Sequence, residues 1–242
     1  MDAFFPSERT RLFVTCEHAD YRIPAEFARR FTGSETVRRS HRGYDPGALH
    51  AAKRIAAHFR APLVFSDTSR LLVDLNRSIG HPFLFSKWTA GLDPADRRKV
   101  LRRWYFPYRR TVEKRIASEI RTGSTVLHLS VHSFSPLREG RRRRMDLGLL
   151  YDPSRDLEAR FCQAWQRQIR GSGSAWKVYR NAPYRGVSDG LTTALRRKFN
   201  RRVYLGIELE INQAHCRGRG GRIEESLIYL IIRSLERLVG RG

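Results

Sequence analysis

The stretch Leu129-Ser130-Val131-His132-Ser133-Phe134-Ser135-Pro136 decides the fold of this 242-residue chain. Its apolar and β-branched residues are typical of a buried strand, and a histidine followed by small hydroxyl residues stands where that strand ends. Two other stretches have the same character: Leu12-Phe13-Val14-Thr15-Cys16-Glu17-His18 and Val203-Tyr204-Leu205-Gly206-Ile207-Glu208-Leu209-Glu210-Ile211. Because each strand ends in or carries a reactive polar group, the three strands predict one shared site.

Strand and helix signals alternate along the chain, which predicts an α/β fold with a mixed, mostly parallel β-sheet flanked by helices in one domain over residues 1–242. Further strands are predicted over residues 62–66, 70–75, 146–151 and 176–179. Helices are predicted over residues 24–31, 46–59, 94–121, 155–170, 190–198 and 223–239. The longest helix should bend at Pro107, because proline lacks an amide donor.

Composition excludes several classes of protein. Hydrophobic residues make up 40% of the chain, enough for a core, and no run of about 18 apolar residues predicts a membrane span. Residues 1–9 lack the basic and apolar regions of a signal peptide, so a cytoplasmic location is expected. The odd number of cysteines (Cys16, Cys162 and Cys216), without a CxxC spacing, argues against a disulfide framework.

The formal net charge of +23 has two interpretations. A basic surface attracts nucleic acid or anionic substrates, and arginine-rich composition can also give a merely solvated surface. The arginines are spread through every predicted helix, and the densest run, Arg138–Arg144, accompanies no nucleic-acid-binding motif. Nonspecific nucleic-acid binding is therefore expected, and a nucleic-acid-associated protein on a hydrolase-like fold is the alternative function. The sequence carries no signal for an oligomeric state.

His18 and His132 both stand at predicted carboxyl ends of strands. Ligands of open α/β sheets bind beyond these ends, so the two imidazoles are candidates to meet. Two imidazoles and one carboxylate, with a position left for water, form a catalytic zinc arrangement. Either histidine alone is more simply explained as a hydrogen-bonded core or surface residue.

Two carboxylates are candidates for the third ligand. Asp45 precedes a predicted helix and is also explained by helix capping before Pro46. Glu17 neighbours His18, but adjacent residues of an extended chain point to opposite faces. This favours Asp45 over Glu17.

Glu208 and Glu210 alternate with apolar residues, and a period of two places both carboxylates on one face of the strand. Buried acids are costly unless they are paired or catalytic, so a general base beside a metal and its water is one interpretation. The other is an edge strand with a solvated face.

Polar groups suited to a substrate carboxylate follow another predicted strand. Asn76 and Arg77 offer amide and guanidinium donors, and Arg70 adds a second cation. Asn181 and Tyr184 belong to a segment that reads either as an ordinary turn or as a loop that closes over substrate. A turn with surface arginines is the simpler interpretation of the first group.

Taken together, these motifs resemble the N-formylglutamate amidohydrolase family, in its predicted-amidohydrolase branch, over roughly residues 11–215. The likeness is carried by Cys16-Glu17-His18-Ala19 with Ile23-Pro24, Gly43-Tyr44-Asp45-Pro46-Gly47-Ala48, Ser69-Arg70-Leu71 with Asp74-Leu75-Asn76-Arg77, Val131-His132-Ser133-Phe134-Ser135-Pro136, Asn181-Ala182-Pro183-Tyr184 and Gly206-Ile207-Glu208-Leu209. The resemblance implies a fold like that of zinc-dependent exopeptidases and aspartoacylases.

The same resemblance implies roles for individual residues. His18 and His132, with Asp45, would bind a divalent metal, with zinc expected. Asn76 and Arg77 would bind a substrate carboxylate, and Glu208, rather than Glu210, would act as base. The implied activity is hydrolysis of the amide bond of a small N-acyl amino acid such as N-formylglutamate.

The chain departs from the branch at two places. Glu210 stands where the branch usually has an arginine two residues after the base glutamate. Arg144-Met145-Asp146 stands where an Arg-Pro-Trp motif is usual. These changes bear on the substrate more than on the hydrolytic class, and they leave a catalytically inactive scaffold as a third interpretation.

Overall fold

The computed structural model describes residues 10–173, 175–218 and 221–240, so the segment 1–9, predicted to hold no signal peptide, lies outside the described residues. The strands are β1 (Thr10–Cys16), β2 (Leu63–Phe65), β3 (Thr125–Phe134), β4 (Leu137–Arg138), β5 (Arg141–Arg142), β6 (Leu147–Leu150), β7 (Val178–Arg180), β8 (Tyr204–Asn212), β9 (Cys216–Arg217) and β10 (Arg222–Ile223). The α-helices are α1 (Glu35–Arg38), α2 (Ala48–His58), α3 (Pro94–Val100), α4 (Phe106–Arg121), α5 (Asp156–Arg170), α6 (Leu191–Arg196) and α7 (Glu225–Val239). Short 3₁₀-helices cover Ala25–Phe31 and Gln213–His215. None of the described helices has the length and apolarity needed to cross a bilayer.

The central sheet has six strands in the order β2-β1-β3-β8-β6-β7. Strand β6 runs antiparallel to β8, and the other pairs are parallel. This confirms the predicted α/β fold with a mixed, mostly parallel sheet flanked by helices.

The strand predicted over residues 70–75 is wrong, because these residues form turns. Leu72 and Val73 are buried in an apolar cluster beside the sheet, so their hydrophobicity reflects packing and not strand pairing. The amide of Asp74 donates to the carbonyl of Leu84, outside the sheet. A buried loop therefore has the composition of a strand here.

The two middle strands separate apolar from polar side chains. On β8, Leu205, Ile207, Leu209 and Ile211 join the main core cluster with residues of α2, α5 and α7. Glu208 and Glu210, which alternate with these apolar residues, lie on the opposite face of β8. On that face the register with β3 pairs Ser130 with Glu208 and His132 with Glu210. The edge-strand interpretation of β8 is wrong, because this buried strand lies between β3 and β6.

The long helix predicted over residues 94–121 is interrupted. Asp93 caps α3 by accepting from the amide of Asp96, and a π-helical turn over Leu101–Tyr105 leads into α4. The change of helical register directly precedes Pro107, where an amide donor is missing. The hydroxyl groups of Tyr105 and Tyr108, in this region, reach the carbonyl of Arg77 and the carboxylate of Glu17.

Candidate active site

His18, Asp45 and His132 form one buried group whose ligand atoms all lie within 4.8 Å of one another. His18 follows β1, Asp45 precedes α2, and His132 stands near the end of β3. Nδ1 of His18 lies 3.3 Å from Oδ2 of Asp45, and Nδ1 of His132 lies 2.9 Å from the same oxygen. The geometry brings together the three side chains predicted as ligands, in an arrangement that can hold a metal ion.

Backbone contacts hold Asp45 in this position. Its amide donates to the carbonyl of His18, and the amide of Ser133 lies 3.4 Å from its Oδ2. The capping interpretation of Asp45 is wrong, because Gly47 caps α2 and no side chain does so. Gly47 has a φ of 83°, and an added Cβ would lie 2.5 Å from Cδ1 of Ile223, so glycine is required at this turn.

The outer nitrogens of both histidines contact carboxylates. Nε2 of His18 lies 2.7 Å from Oδ1 of Asp74, and Nε2 of His132 lies 3.0 Å from Oε2 of Glu17. Ser130 Oγ lies 2.9 Å from the same nitrogen of His132. A carboxylate that accepts Nε2–H leaves Nδ1, which faces Asp45, as the nitrogen available to a metal ion, and outer carboxylates orient metal-binding imidazoles in this way. Glu17 thus lies behind His132, on the side away from Asp45. Asp74 has the same position behind His18, and sequence reasoning missed this contact.

Electrostatics favour a cation inside this group. Burial opposes ionisation of Asp45, but the facing His18 and His132 outweigh it and hold the pKa of the carboxyl well below its usual range. Burial likewise opposes ionisation of Glu17, and His132 and Ser130 hold its pKa low. Burial lowers the pKa of His132, yet hydrogen bonds to Asp45 and Glu17 raise it well above its ordinary value. The carboxylates therefore stay ionised and stabilise positive charge between them.

A cavity of about 310 Å³ opens onto this group. Its lining includes the three candidate metal ligands and six further residues that sequence analysis singled out: Arg70, Asn76, Arg77, Tyr184, Glu208 and Glu210. His41 and Asp189 also line it, and sequence reasoning missed both. Neither follows a predicted strand, so no local pattern points to them.

The two glutamates of β8 face the cavity in different surroundings. Oε1 of Glu208 accepts a 2.6 Å hydrogen bond from Thr192 Oγ1 on α6. Oε2 of Glu210 is buried and has no hydrogen-bond partner among the described residues. Burial, reinforced by the charges of Asp45 and Glu208, raises the pKa of Glu210 to about 8. The Glu208 carboxylate is therefore anchored, whereas one oxygen of Glu210 has no partner in the described part of the chain.

The predicted carboxylate-binding residues are not equally free. Arg70 is bound to the cluster, since its Nη2 donates to Oδ2 of Asp74 at 2.7 Å. Arg77 donates from Nη1 to the carbonyl of Asp189, while its Nε is buried without a partner among the described residues. Nδ2 of Asn76 lies 3.4 Å from Nε2 of His132. Arg77 and Asn76 thus reach the cavity, and Arg70 balances buried negative charge.

Asn181, predicted to bind substrate, is not among the residues that line the cavity. Its Oδ1 accepts from the amides of Tyr151 and Gly186, and its φ of 51° turns the backbone. The side chain therefore shapes the loop. Tyr184, carried by that loop, lines the cavity and is 48% exposed.

Comparison with known proteins places these features in context. The family profile described as N-formylglutamate amidohydrolase matches residues 10–216. The crystal structure of gene product Atu2144 from Agrobacterium tumefaciens is similar, with a TM-score of 0.76 and 29% identity, over 93% of this chain and 90% of that chain. The crystal structure of N-formylglutamate amidohydrolase from Ralstonia eutropha JMP134 is also similar, with a TM-score of 0.64 and 18% identity. The match covers 98% of this chain and 94% of that chain, and at this identity it supports the fold alone. No curated protein matches the sequence significantly.

Proposed function

This chain belongs to the N-formylglutamate amidohydrolase family, and from that premise we propose that its cavity hydrolyses the amide bond of a small N-acyl amino acid with the help of a divalent metal. N-formylglutamate is the first substrate to consider. The observation that carries the proposal is the buried group of His18, Asp45 and His132 beside a cavity that Glu208 and Arg77 also line.

The donor set fits a metal ion. Nδ1 of His18, Nδ1 of His132 and Oδ2 of Asp45 would hold it, because the Nε2 atoms of both histidines are engaged elsewhere. Two imidazoles and a carboxylate suit zinc, and this set leaves a position open for water or substrate. A bound zinc ion would lower the pKa of a water molecule and polarise the amide carbonyl.

Glu208 is the proposed general base. It would take a proton from the attacking water and deliver it to the nitrogen of the leaving amine as the amide bond breaks. The hydrogen bond from Thr192 fixes one carboxylate oxygen and leaves the other for this proton transfer. Glu210, which lines the same cavity, is the alternative base.

Arg77 and Asn76 are proposed to hold a carboxylate of the substrate. The guanidinium of Arg77 retains a buried donor without a partner among the described residues, and Nδ2 of Asn76 lies 3.4 Å from Nε2 of His132. A charged donor paired with a carboxylate gives a strong, directional contact. Tyr184 would contact the substrate at the mouth of the cavity, while Arg70 holds Asp74 in place.

The test is an assay of formate and free-amine release by the purified protein across a panel of N-acyl amino acids, with and without added zinc. We expect release from at least one N-formyl amino acid, loss of activity after chelation and recovery with zinc. No release from any member in the presence of zinc would overturn the proposal. Tight, salt-sensitive RNA binding by a metal-free protein would favour the nucleic-acid alternative.

A further inference from the structure

Glu210 is a buried acid with an unused hydrogen-bonding position. The residue is 6% exposed, lines the cavity beside the candidate metal ligands, and its Oε2 has no partner among the described residues. Leaving such an oxygen unsatisfied is unfavourable, and native structures rarely tolerate it without a reason. In a cavity that takes substrate, a donor on the substrate can satisfy it.

A second open position has the opposite character. Nε of Arg77 is a buried donor that lacks a partner among the described residues. Two other charged groups of the cavity are already engaged: Arg70 donates to Asp74, and Oδ2 of Asp189 accepts from the amide of Ser78. The cavity therefore offers both an open donor and an open acceptor.

The surroundings of Glu210 oppose a second anion there. The negative charges of Asp45 and Glu208 disfavour a further negative charge at Glu210. His132, which is paired with Glu210 in the register of β3 and β8, has the opposite effect. On β6, an added Cβ at Gly148 would lie 3.2 Å from Cβ of Glu210, so the facing strand packs closely against the side chain. The negative charges of Asp45 and Glu208, which disfavour an ionised Glu210, also disfavour a substrate carboxylate at this position, whereas an N–H group would gain an acceptor.

We propose that Glu210 selects substrates whose side chain presents a hydrogen-bond donor, an amide or an ammonium group, while Arg77 binds the substrate carboxylate. This inference rests on the proposed function and narrows its substrate class. N-acyl amino acids with an amide or cationic side chain fit the cavity better than those with a second carboxylate. A carboxyl presents an accepting oxygen to such a donor whether or not it is ionised.

N-formylglutamine and N-formylglutamate are a matched pair for the test, because they differ only in an amide that replaces a carboxylate. We expect kcat/KM of the unmodified protein to favour N-formylglutamine by about tenfold, the size of one well-formed hydrogen bond. Glu210→Gln should reduce this preference to within about threefold, because the side-chain amide can donate to a substrate carboxylate as well as accept from a substrate amide. Asp189→Asn is the control, since it removes a charge from the same cavity and should keep the preference.

A preference of the unmodified protein for N-formylglutamate, or an unchanged preference in Glu210→Gln, would overturn the assignment. Turnover of neither compound by the unmodified protein would count against the proposed function instead. If the unmodified protein turns over neither compound, or if Glu210→Gln abolishes turnover, calorimetric measurement of the binding of both compounds decides the role of Glu210. Tighter binding of N-formylglutamine that Glu210→Gln removes supports the assignment, and equal binding of both compounds contradicts it.

Discussion

Nε2 of His18 and Oδ1 of Asp74 lie 2.7 Å apart, although 56 residues separate them in the sequence. Both residues are buried. The other oxygen of Asp74 accepts from Arg70, so the carboxylate is fixed from two sides. The imidazole is thereby oriented with Nδ1 toward Asp45, as a metal ligand requires.

Asp74→Asn should weaken zinc binding by roughly 10- to 100-fold, the usual effect of losing an outer carboxylate behind a metal-binding histidine. Competition with a zinc chelator measures this affinity. Asp146→Asn is a matched control, because Asp146 lies 2.7 Å from Nε2 of His215 in a pair whose members do not line the cavity. Equal zinc affinity in Asp74→Asn and the unmodified protein would show that the pair has only a structural role.

Glu208→Gln should lower kcat by roughly 10²- to 10⁴-fold, because the amide cannot accept the proton of the attacking water. Zinc content should not change, since Glu208 is outside the group of candidate ligands. Steady-state kinetics and elemental analysis on the same preparation separate the two effects. Glu210→Gln is the comparison, and if it alone loses turnover while Glu208→Gln keeps it, the base is Glu210.

Thr192→Val should lower kcat by roughly 10- to 100-fold with a smaller change in KM, because a buried hydrogen bond to a charged group contributes about 1.5–3 kcal/mol. The substitution keeps the shape of the side chain but removes the 2.6 Å hydrogen bond to Glu208. Thr192→Ser retains the hydroxyl and should restore most of the rate. A loss of rate in the serine variant equal to that in the valine variant would point to packing instead.

Local patterns predicted most of the fold and the centre of the site. Histidines at the ends of apolar strands and the period of two in β8 are visible within a few residues, and so His18, His132 and Glu208 could be singled out. Asp45 could be preferred to Glu17 as the third ligand because adjacent residues of a strand, such as Glu17 and His18, point to opposite faces. The fold class followed from the alternation of strands and helices.

The rest of the site depends on contacts between distant segments, which no local pattern contains. The contact between Glu17 and His132 arises only when β1 and β3 pair. Asp74 belongs to a stretch with the composition of a strand, yet it lies in a buried loop that reaches His18. Thr192 contacts Glu208 because α6 packs on β8.

His128 should make the protein less stable as pH falls. The ring is buried between Thr15 and Tyr204, and burial lowers its pKa to about 4. Its pKa in the unfolded chain is about 6.5, so below that pH the unfolded state takes up a proton that the folded state does not, and stability is lost as pH falls toward 4.

Between pH 8 and pH 5 the loss due to His128 should be about 2 kcal/mol in the free energy of unfolding. Denaturant unfolding of the unmodified protein and of His128→Gln at both pH values measures it, because other titrating groups are common to both proteins. The difference in stability between the two proteins should shift by this amount. A difference that stays constant with pH would contradict a buried, neutral His128.

The metal content of the purified protein tests the proposed centre most directly. After exposure to zinc and removal of excess ion, elemental analysis should find one zinc per chain in the unmodified protein. It should find none in a His18→Ala, His132→Ala double variant whose circular dichroism shows that it is folded. A protein that takes up no zinc, or a folded double variant that retains it, would contradict a metal centre formed by His18, Asp45 and His132.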